Sequence, residues 1–287
     1  MAGLCEVRRI GILHPGEMGR VAAATLVNSG NEVYWASEGR SQSTKQRAAN
    51  LNLIDAVTIS ALCDGCEAIV SVCPPEFADY LANEVLATNF RGFYLDANAI
   101  SPDRARNMAI RMRARGVTFV DGGIIGLASM MSGKTWIYLS GEAAPDAAKL
   151  FAAGPLQPEV LSGPAGQASA LKMCFAAYSK ITTALLTAIL ATADQQGVRA
   201  ELERQWSRMP GSPTDAVEKI PISAPKAWRF VPEMQEIAAT FESSGVPSAF
   251  PKAAAEIYSQ LASFRNTTPD LEAILSALTP ALATETK

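Results

Sequence analysis

Up to Gly163 short apolar runs alternate with helical spacers, and beyond it the apolar runs of strand type stop. The strand-like segments are Val7–Leu13, Asn31–Ala36, Ala68–Cys73, Phe93–Asp96, Thr118–Asp121 and Trp136–Ser140. Helix-like segments lie among them: Arg20–Ser29, Ser43–Leu51, Phe77–Leu86 and Pro102–Arg115. This is the pattern of parallel β-α-β units, in which each helix carries the chain back across one sheet. After Gly163 the segments Ala168–Gln196, Ala200–Trp206, Thr214–Lys219, Val231–Ser243, Pro251–Phe264 and Leu271–Leu278 all read as helices. The expectation is a doubly wound α/β sheet over residues 1–163, then an all-α domain over 164–287. The long Ala168–Gln196 segment fits a spine leaving the sheet domain, since an isolated globular helix is seldom so long.

The first strand runs straight into His14-Pro15-Gly16-Glu17-Met18-Gly19 and then into an Ala-rich helix. A strand, a glycine turn and a helix in this order open a Rossmann-type dinucleotide-binding domain. Gly16 lets backbone approach a pyrophosphate, Gly19 lets the helix pack on the strand, and the first helical N–H groups face the anion. His14 through Gly19 are therefore candidate cofactor-binding residues. One departure is visible: His14, the single histidine of the chain, stands where the first glycine of G-x-G-x-x-G belongs.

The second strand ends at Ala36-Ser37, followed by Glu38-Gly39-Arg40-Ser41. An NAD site usually places a carboxylate here on the ribose hydroxyls. Ser37, Arg40 and Ser41 instead suit a 2′-phosphate, because guanidinium and hydroxyl donors complement its charge. NADP is the expected cofactor, with NAD as the alternative if Glu38 curls back to the ribose. Cys73 and Pro74 fall at the carboxyl edge of the next strand, where open α/β sheets bind ligands, and are candidates for the nicotinamide wall.

With 48% hydrophobic and 18% charged residues, the chain can bury a sizeable core. A net charge of −3 argues against nucleic acid or an acidic membrane surface as the main partner. The arginines of Arg104–Arg115 read as a solvated helix face. The most apolar stretch, Ile181–Ala193, is too short to span a bilayer, and the N-terminal segment fits a strand better than a signal peptide. Five cysteines, an odd number, suit a reducing cytoplasm. Cys63-x-x-Cys66 lacks a second pair and the chain has one histidine, so no metal site is expected and two thiols in a helix-to-strand turn are.

Five segments in order resemble the β-hydroxyacid dehydrogenases, relatives of 6-phosphogluconate and 3-hydroxyisobutyrate dehydrogenases, and in particular their subgroup with a functionally undefined C-terminal domain. Ile10–Gly19 matches the family's G-x-I-G-x-G-x-M-G except at His14. Asp96–Pro102 stands in the place of D-x-S-T-x-x-P, and Phe119–Gly126 in that of F-x-D-A-P-V-S-G-G. Gly163-Pro164-Ala165-Gly166 with Lys172 is similar to G-x-x-G-x-G-x-x-x-K, and Trp228–Phe241 resembles the subgroup's C-terminal signature. The resemblance implies a nicotinamide-dependent oxidoreductase acting on a hydroxy acid or related carbonyl, with Lys172 catalytic. It also implies Asn98 at both cofactor and substrate, Gly123 and Gly126 along the substrate, and a homodimer. The small residues of the long helix favour that dimer too.

Lys172 is the only charged residue between Ala165 and Ser179. Apolar surroundings would disfavour its ammonium and lower its pKa towards neutrality, fitting it to exchange a proton with a carbonyl oxygen. The plainer alternative is a stem that packs while the head reaches solvent. Departures from the family pattern cluster around the substrate. Asn98 and Ala99 replace Ser and Thr, Ile125 replaces Ser, and Ala176 stands where the family has Asn. Ser179, or Tyr178, is the candidate to supply a polar group instead. The pocket is expected to be more apolar, to take a bulkier or less acidic compound, or to have lost activity. Two further readings therefore stand beside the dehydrogenase: an imine reductase, a family that generally lacks this lysine, and a non-catalytic NADP-binding sensor.

Overall fold

In a computed structural model, residues 8–279 are described. Val7 of the first expected strand and both chain ends lie outside the described residues. The chain divides into two compact units, residues 1–173 and 174–287.

The first unit is built on one sheet in the order β3-β2-β1-β4-β5-β6-β7-β8. Its strands are β1 (Arg9–Leu13), β2 (Glu32–Trp35), β3 (Ile54–Asp55), β4 (Ala68–Ser71), β5 (Phe93–Asp96), β6 (Thr118–Gly126), β7 (Thr135–Ser140) and β8 (Leu156–Val160). All neighbours are parallel except β6 and β7, which form an antiparallel hairpin. Helices α1 (Gly19–Asn28), α2 (Gln42–Asn50), α3 (Ile59–Gly65), α4 (Ala78–Leu86), α5 (Pro102–Ala114) and α6 (Ala144–Ala148) connect the strands. Successive strand residues feed opposite faces of the sheet. Ile10, Ile12, Val70, Leu95 and Val120 enter one buried cluster, while Leu13, Ile69 and Tyr94 enter the other. A sheet covered on both faces is what near-continuous apolar strands require.

Several elements differ from the sequence expectation. β6 does not stop at Gly122-Gly123 but runs through them to Gly126, because those glycines serve close packing rather than a turn. β8 was not foreseen: Pro158 and Glu159 disguise it, and both are tolerated on an edge strand. The two-residue β3 and the short α3 also escape periodicity, being too short to show it. Cys63 lies in α3 and Cys66 caps it, and burial pushes their thiols up to about 11 and about 12. No metal-ligand cluster occurs among the described residues.

The expected boundary at Gly163 falls short of the compact unit, which extends to Met173. The first turns of α7 (Gln167–Ala176) belong with the sheet because strand side chains bind its N-terminus. A π turn (Ala177–Ile181) joins α7 to α8 (Thr182–Gln195). The continuous run Gln167–Gln195 is long and apolar enough, by length and composition, to cross a membrane, and 44% of its most apolar window is buried. Length therefore does not exclude a span, contrary to the expectation from Ile181–Ala193, since the helix extends well beyond that stretch.

The second unit continues with α9 (Arg199–Trp206), α10 (Thr214–Val217), α11 (Lys219–Ser223), α12 (Ala227–Ser243), α13 (Ala249–Gln260) and α14 (Leu271–Leu278). It contains no strand among the described residues. Lys180 pairs with Glu233 at 2.9 Å and stands 5.0 Å from the Phe230 ring centroid, while the Tyr258 hydroxyl donates to the Lys180 carbonyl at 2.7 Å.

Candidate active site

In the order β3-β2-β1-β4 the chain switches direction between β1 and β4, and the crevice at the carboxyl ends of such strands is where open α/β sheets bind ligands. His14 lies at that point. Its N–H donates to Val72 O at 3.1 Å, and its carbonyl accepts from Gly16 N at 2.8 Å. A Cβ on Gly19 would overlap the His14 carbonyl, so only glycine lets α1 start here. Nothing lies within 4 Å of a Cβ built on Gly16, and no side chain caps α1. Its first N–H groups therefore lack the usual side-chain acceptor.

His14 is 9% exposed, and neither Nδ1 nor Nε2 of its ring has a hydrogen-bond partner. Burial first, then the Arg40 charge, lowers its pKa to about 4, so the ring is neutral near pH 7. Pro15 is buried beside it, while Glu17 is exposed and Met18 half-buried. The residues present fit a dinucleotide: an uncapped helix start, an open glycine and a buried ring with orphaned nitrogens all address an anion.

The loop after β2 brings Arg40 close enough to act on His14. Arg40 is exposed and its Nε donates to Glu38 O at 3.2 Å. Ser41 caps α2 through Thr44 N at 3.3 Å, with the Ser43 and Thr44 hydroxyls each 3.0 Å from its Oγ. Sequence reasoning missed two arginines here. Arg47 of α2 pairs with Glu17, and Arg20 lies 3.6 Å from the same carboxylate. No local pattern signals the first pair, whose members are 30 residues apart.

At the ends of β4 and β5 the Asn98 side chain acts as a brace. Its Oδ1 accepts from Cys73 N at 2.6 Å, and its Nδ2 donates to Ser71 Oγ at 3.1 Å and Asp96 Oδ2 at 2.8 Å. Both amide hydrogens are thus committed within the protein. Asn98 thereby fixes Cys73, which leads into the exposed Pro74. Burial, with the Asp121 charge adding to it, raises Asp96 to about 7 against the opposing Asn98 hydrogen bonds.

The other half of the site is the junction of β6 with α7. Asp121, fully buried, accepts from Gly166 N (2.8 Å), Ser169 N (3.1 Å), Ser169 Oγ (2.6 Å) and Ser140 Oγ (2.9 Å). Ser140 Oγ in turn accepts from Ala168 N at 3.0 Å. Two strands thus satisfy three N–H groups at the start of α7 and place a carboxylate at its positive end. One turn on, a Cβ at Gly123 would come 2.6 Å from Ala168 O and 3.0 Å from Lys172 Cβ. The bare glycine is what lets the Lys172 helix lie on the strand. Lys172 itself is half-buried.

Gly126 lies further along β6 with φ +126°, pairing with Thr135 at the hairpin, where its conformation already demands glycine. Ile125 and Ala176 are buried. Ser179 falls in the second unit, inside the π turn, where its Oγ donates to Phe175 O and Ala176 O at 3.2 and 3.3 Å. Helical spacing from Ala176 placed it one regular turn on, and the π turn alters that spacing.

Residues 9–151 match the NAD-binding domain of 6-phosphogluconate dehydrogenase, and residues 193–261 match a domain of unknown function, DUF1932. The chain belongs to the β-hydroxyacid dehydrogenase family. Among solved structures it is similar to MTH1747, a conserved protein of unknown function with structural similarity to 3-hydroxyacid dehydrogenases. That match has 26% identity and a TM-score of 0.68 over 89% of this chain and 97% of the other. The Mycobacterium tuberculosis 3-hydroxyisobutyrate dehydrogenase, solved with L-serine, shares the fold at 17% identity and a TM-score of 0.68, covering 95% and 99%. An imine reductase from Bacillus cereus shares it at 17% and 0.55, with the same coverage. No curated protein sequence matches the chain with significance. Family and fold together make this a nicotinamide dinucleotide-binding oxidoreductase architecture.

Proposed function

We propose that this β-hydroxyacid dehydrogenase family member is an NADP-dependent enzyme interconverting a hydroxy compound and its carbonyl, with Lys172 as general acid and base. One observation carries the reading: Lys172 rides on a helix that Asp121 clamps at its start and bare Gly123 admits against the sheet. An amine so fixed can be held within reach of a reacting oxygen.

Residues His14 to Gly19 would hold the dinucleotide phosphates, Ser37, Arg40 and Ser41 the adenosine end, and Cys73 and Pro74 the nicotinamide wall, braced by Asn98. The bound dinucleotide supplies or accepts the hydride. Lys172 gives a proton to the carbonyl oxygen in reduction and removes it from the hydroxyl in oxidation. The exposed Arg40 favours NADP over NAD. Glu38 is pinned by its N–H on Val57 O at 2.9 Å, with its side chain exposed.

The substrate would lie along Gly123 towards Gly126 in the first unit, and Ser179 of the second unit is kept as the sequence-based candidate for a substrate hydroxyl. Small 3-hydroxy acids such as 3-hydroxyisobutyrate and serine are the first compounds to assay, because relatives bear those names. Ile125, buried on β6 where the family pattern has Ser, makes this part of the strand more apolar and favours a less acidic or bulkier carbonyl. A panel of hydroxy acids, ketones, aldehydes and cyclic imines with NADPH and NADH tests the proposal. Turnover of a hydroxy–carbonyl pair supports it, and turnover of imines alone assigns an imine reductase. Tight NADPH binding without turnover of any compound leaves a sensor.

We further propose a homodimer in a reducing cytoplasm. The exposed Phe175, Tyr178 and Leu185 on the long helix, and the free cysteines, support these readings. A monomer mass by light scattering contradicts the first.

A further inference from the structure

At the position where the family has its first turn glycine, this chain has buried a ring whose two nitrogens bond to nothing. A neutral imidazole carries one donor and one acceptor, and leaving both unpaired out of water is costly. Such a cost persists where something else completes the pairing. Three neighbouring features select an anion. Gly16 leaves open space beside the ring, α1 starts without a side-chain cap, and Arg40 brings a guanidinium within electrostatic reach. Arg20, in the first turn of α1, also has a buried Nε without a partner.

We infer that His14 is a phosphate-recognition residue of the dinucleotide site, donating its ring N–H to a phosphoryl oxygen and acting jointly with Arg40. This rests on the cofactor reading of the preceding section and adds to it a residue that a glycine in the same place cannot supply. The other ionisable groups around the turn do not take this part. Glu17 is paired with Arg47 and Arg20, and burial pushes the Cys73 thiol up, keeping it un-ionised. Arg40 is thus the charge acting on the ring, and it disfavours protonation. An anion placed between them reverses that influence. His14 accordingly takes up a proton more readily in the complex, and binding draws protons from solution at mildly acid pH.

The chain's single histidine makes the test direct, because its ring C–H resonances need no assignment among others. They are titrated in the free protein and with saturating NADP+, NAD+, ADP or adenosine 2′,5′-bisphosphate. Expected are a midpoint near 4 in the free protein and an upward shift of a full pH unit or more with NADP+. A shift with ADP assigns the pyrophosphate as the partner, and a shift with adenosine 2′,5′-bisphosphate but not ADP assigns the 2′-phosphate. Calorimetry at pH 7 should show roughly tenfold weaker NADP+ binding for His14→Gly, as expected for loss of a hydrogen bond to a charged group. His14→Asn, which keeps an N–H donor, should lose less. Saturable NADP+ binding that leaves the midpoint unchanged, or tighter binding by His14→Gly, overturns the inference and leaves the cofactor reading intact. Absence of binding by every dinucleotide overturns both.

Discussion

The two halves of the site handle buried polar groups in opposite ways. At the β1–α1 turn the His14 ring is buried with neither nitrogen satisfied, and α1 starts without a side-chain cap. At the β6–α7 junction Asp121 takes four hydrogen bonds, and three N–H groups at the start of α7 find strand acceptors. Under the proposed function the contrast separates two tasks. A surface that receives an anion leaves donors waiting, whereas a scaffold that holds a reactive side chain leaves none.

The largest test of that contrast is Asp121→Ala. It strands buried N–H groups and two hydroxyls, so a loss on the order of 3–5 kcal/mol is expected, read as a fall in thermal midpoint of roughly 10 °C. A change of a degree or two would mean the clamp does not hold the helix. Gly123→Val comes next. Its side chain meets Ala168 O and Lys172 Cβ, and overpacking of this kind costs about 1–3 kcal/mol. Turnover should fall far more than NADPH affinity, since the strand that changes carries α7 and not the phosphate turn.

How far the sequence reveals these halves follows from chain separation. The β1–α1 turn is legible because strand, glycines and helix are contiguous, and even the departure at His14 is visible there. Its burial is not, since that depends on the β4 edge and the Arg40 loop. Asp121 is read from the sequence only as a strand end. Its partners Gly166 and Ser169 lie 45 and 48 residues away, and nothing local announces a cap supplied from that distance. The glycines of β6 mislead for the same reason: the helix they admit is assembled from later sequence.

On the ligand side, Arg40→Ala should leave stability within about 0.5 kcal/mol, as for an exposed side chain, and reduce the preference for NADP over NAD by roughly tenfold or more. Equal preference ratios in both proteins would remove Arg40 from the phosphate site. The last expected effect is a pH slope. His14 has a folded pKa of about 4 against 6.5 unfolded, so the unfolded chain binds more protons between those values. Its contribution is fully present above pH 6.5 and is lost as the pH falls through 4. Asp96, raised to about 7, works the other way: its contribution is present below about 4 and is lost as the pH rises through 7. The two slopes oppose each other between about pH 4 and 6.5, so His14→Asn should make the thermal midpoint fall more steeply with rising pH along this acid limb than in the parent protein. Identical limbs in both proteins would contradict the buried neutral ring.

The central claim is that the clamped helix exists to present Lys172 to a reacting oxygen. Lys172→Ala, assayed by single-turnover kinetics alongside NADPH binding by fluorescence titration, addresses it most directly. The expected result is NADPH affinity within about twofold of the parent protein and turnover reduced roughly 100- to 10,000-fold, the usual range for loss of a general acid–base. Turnover at the parent rate with NADPH bound would contradict it.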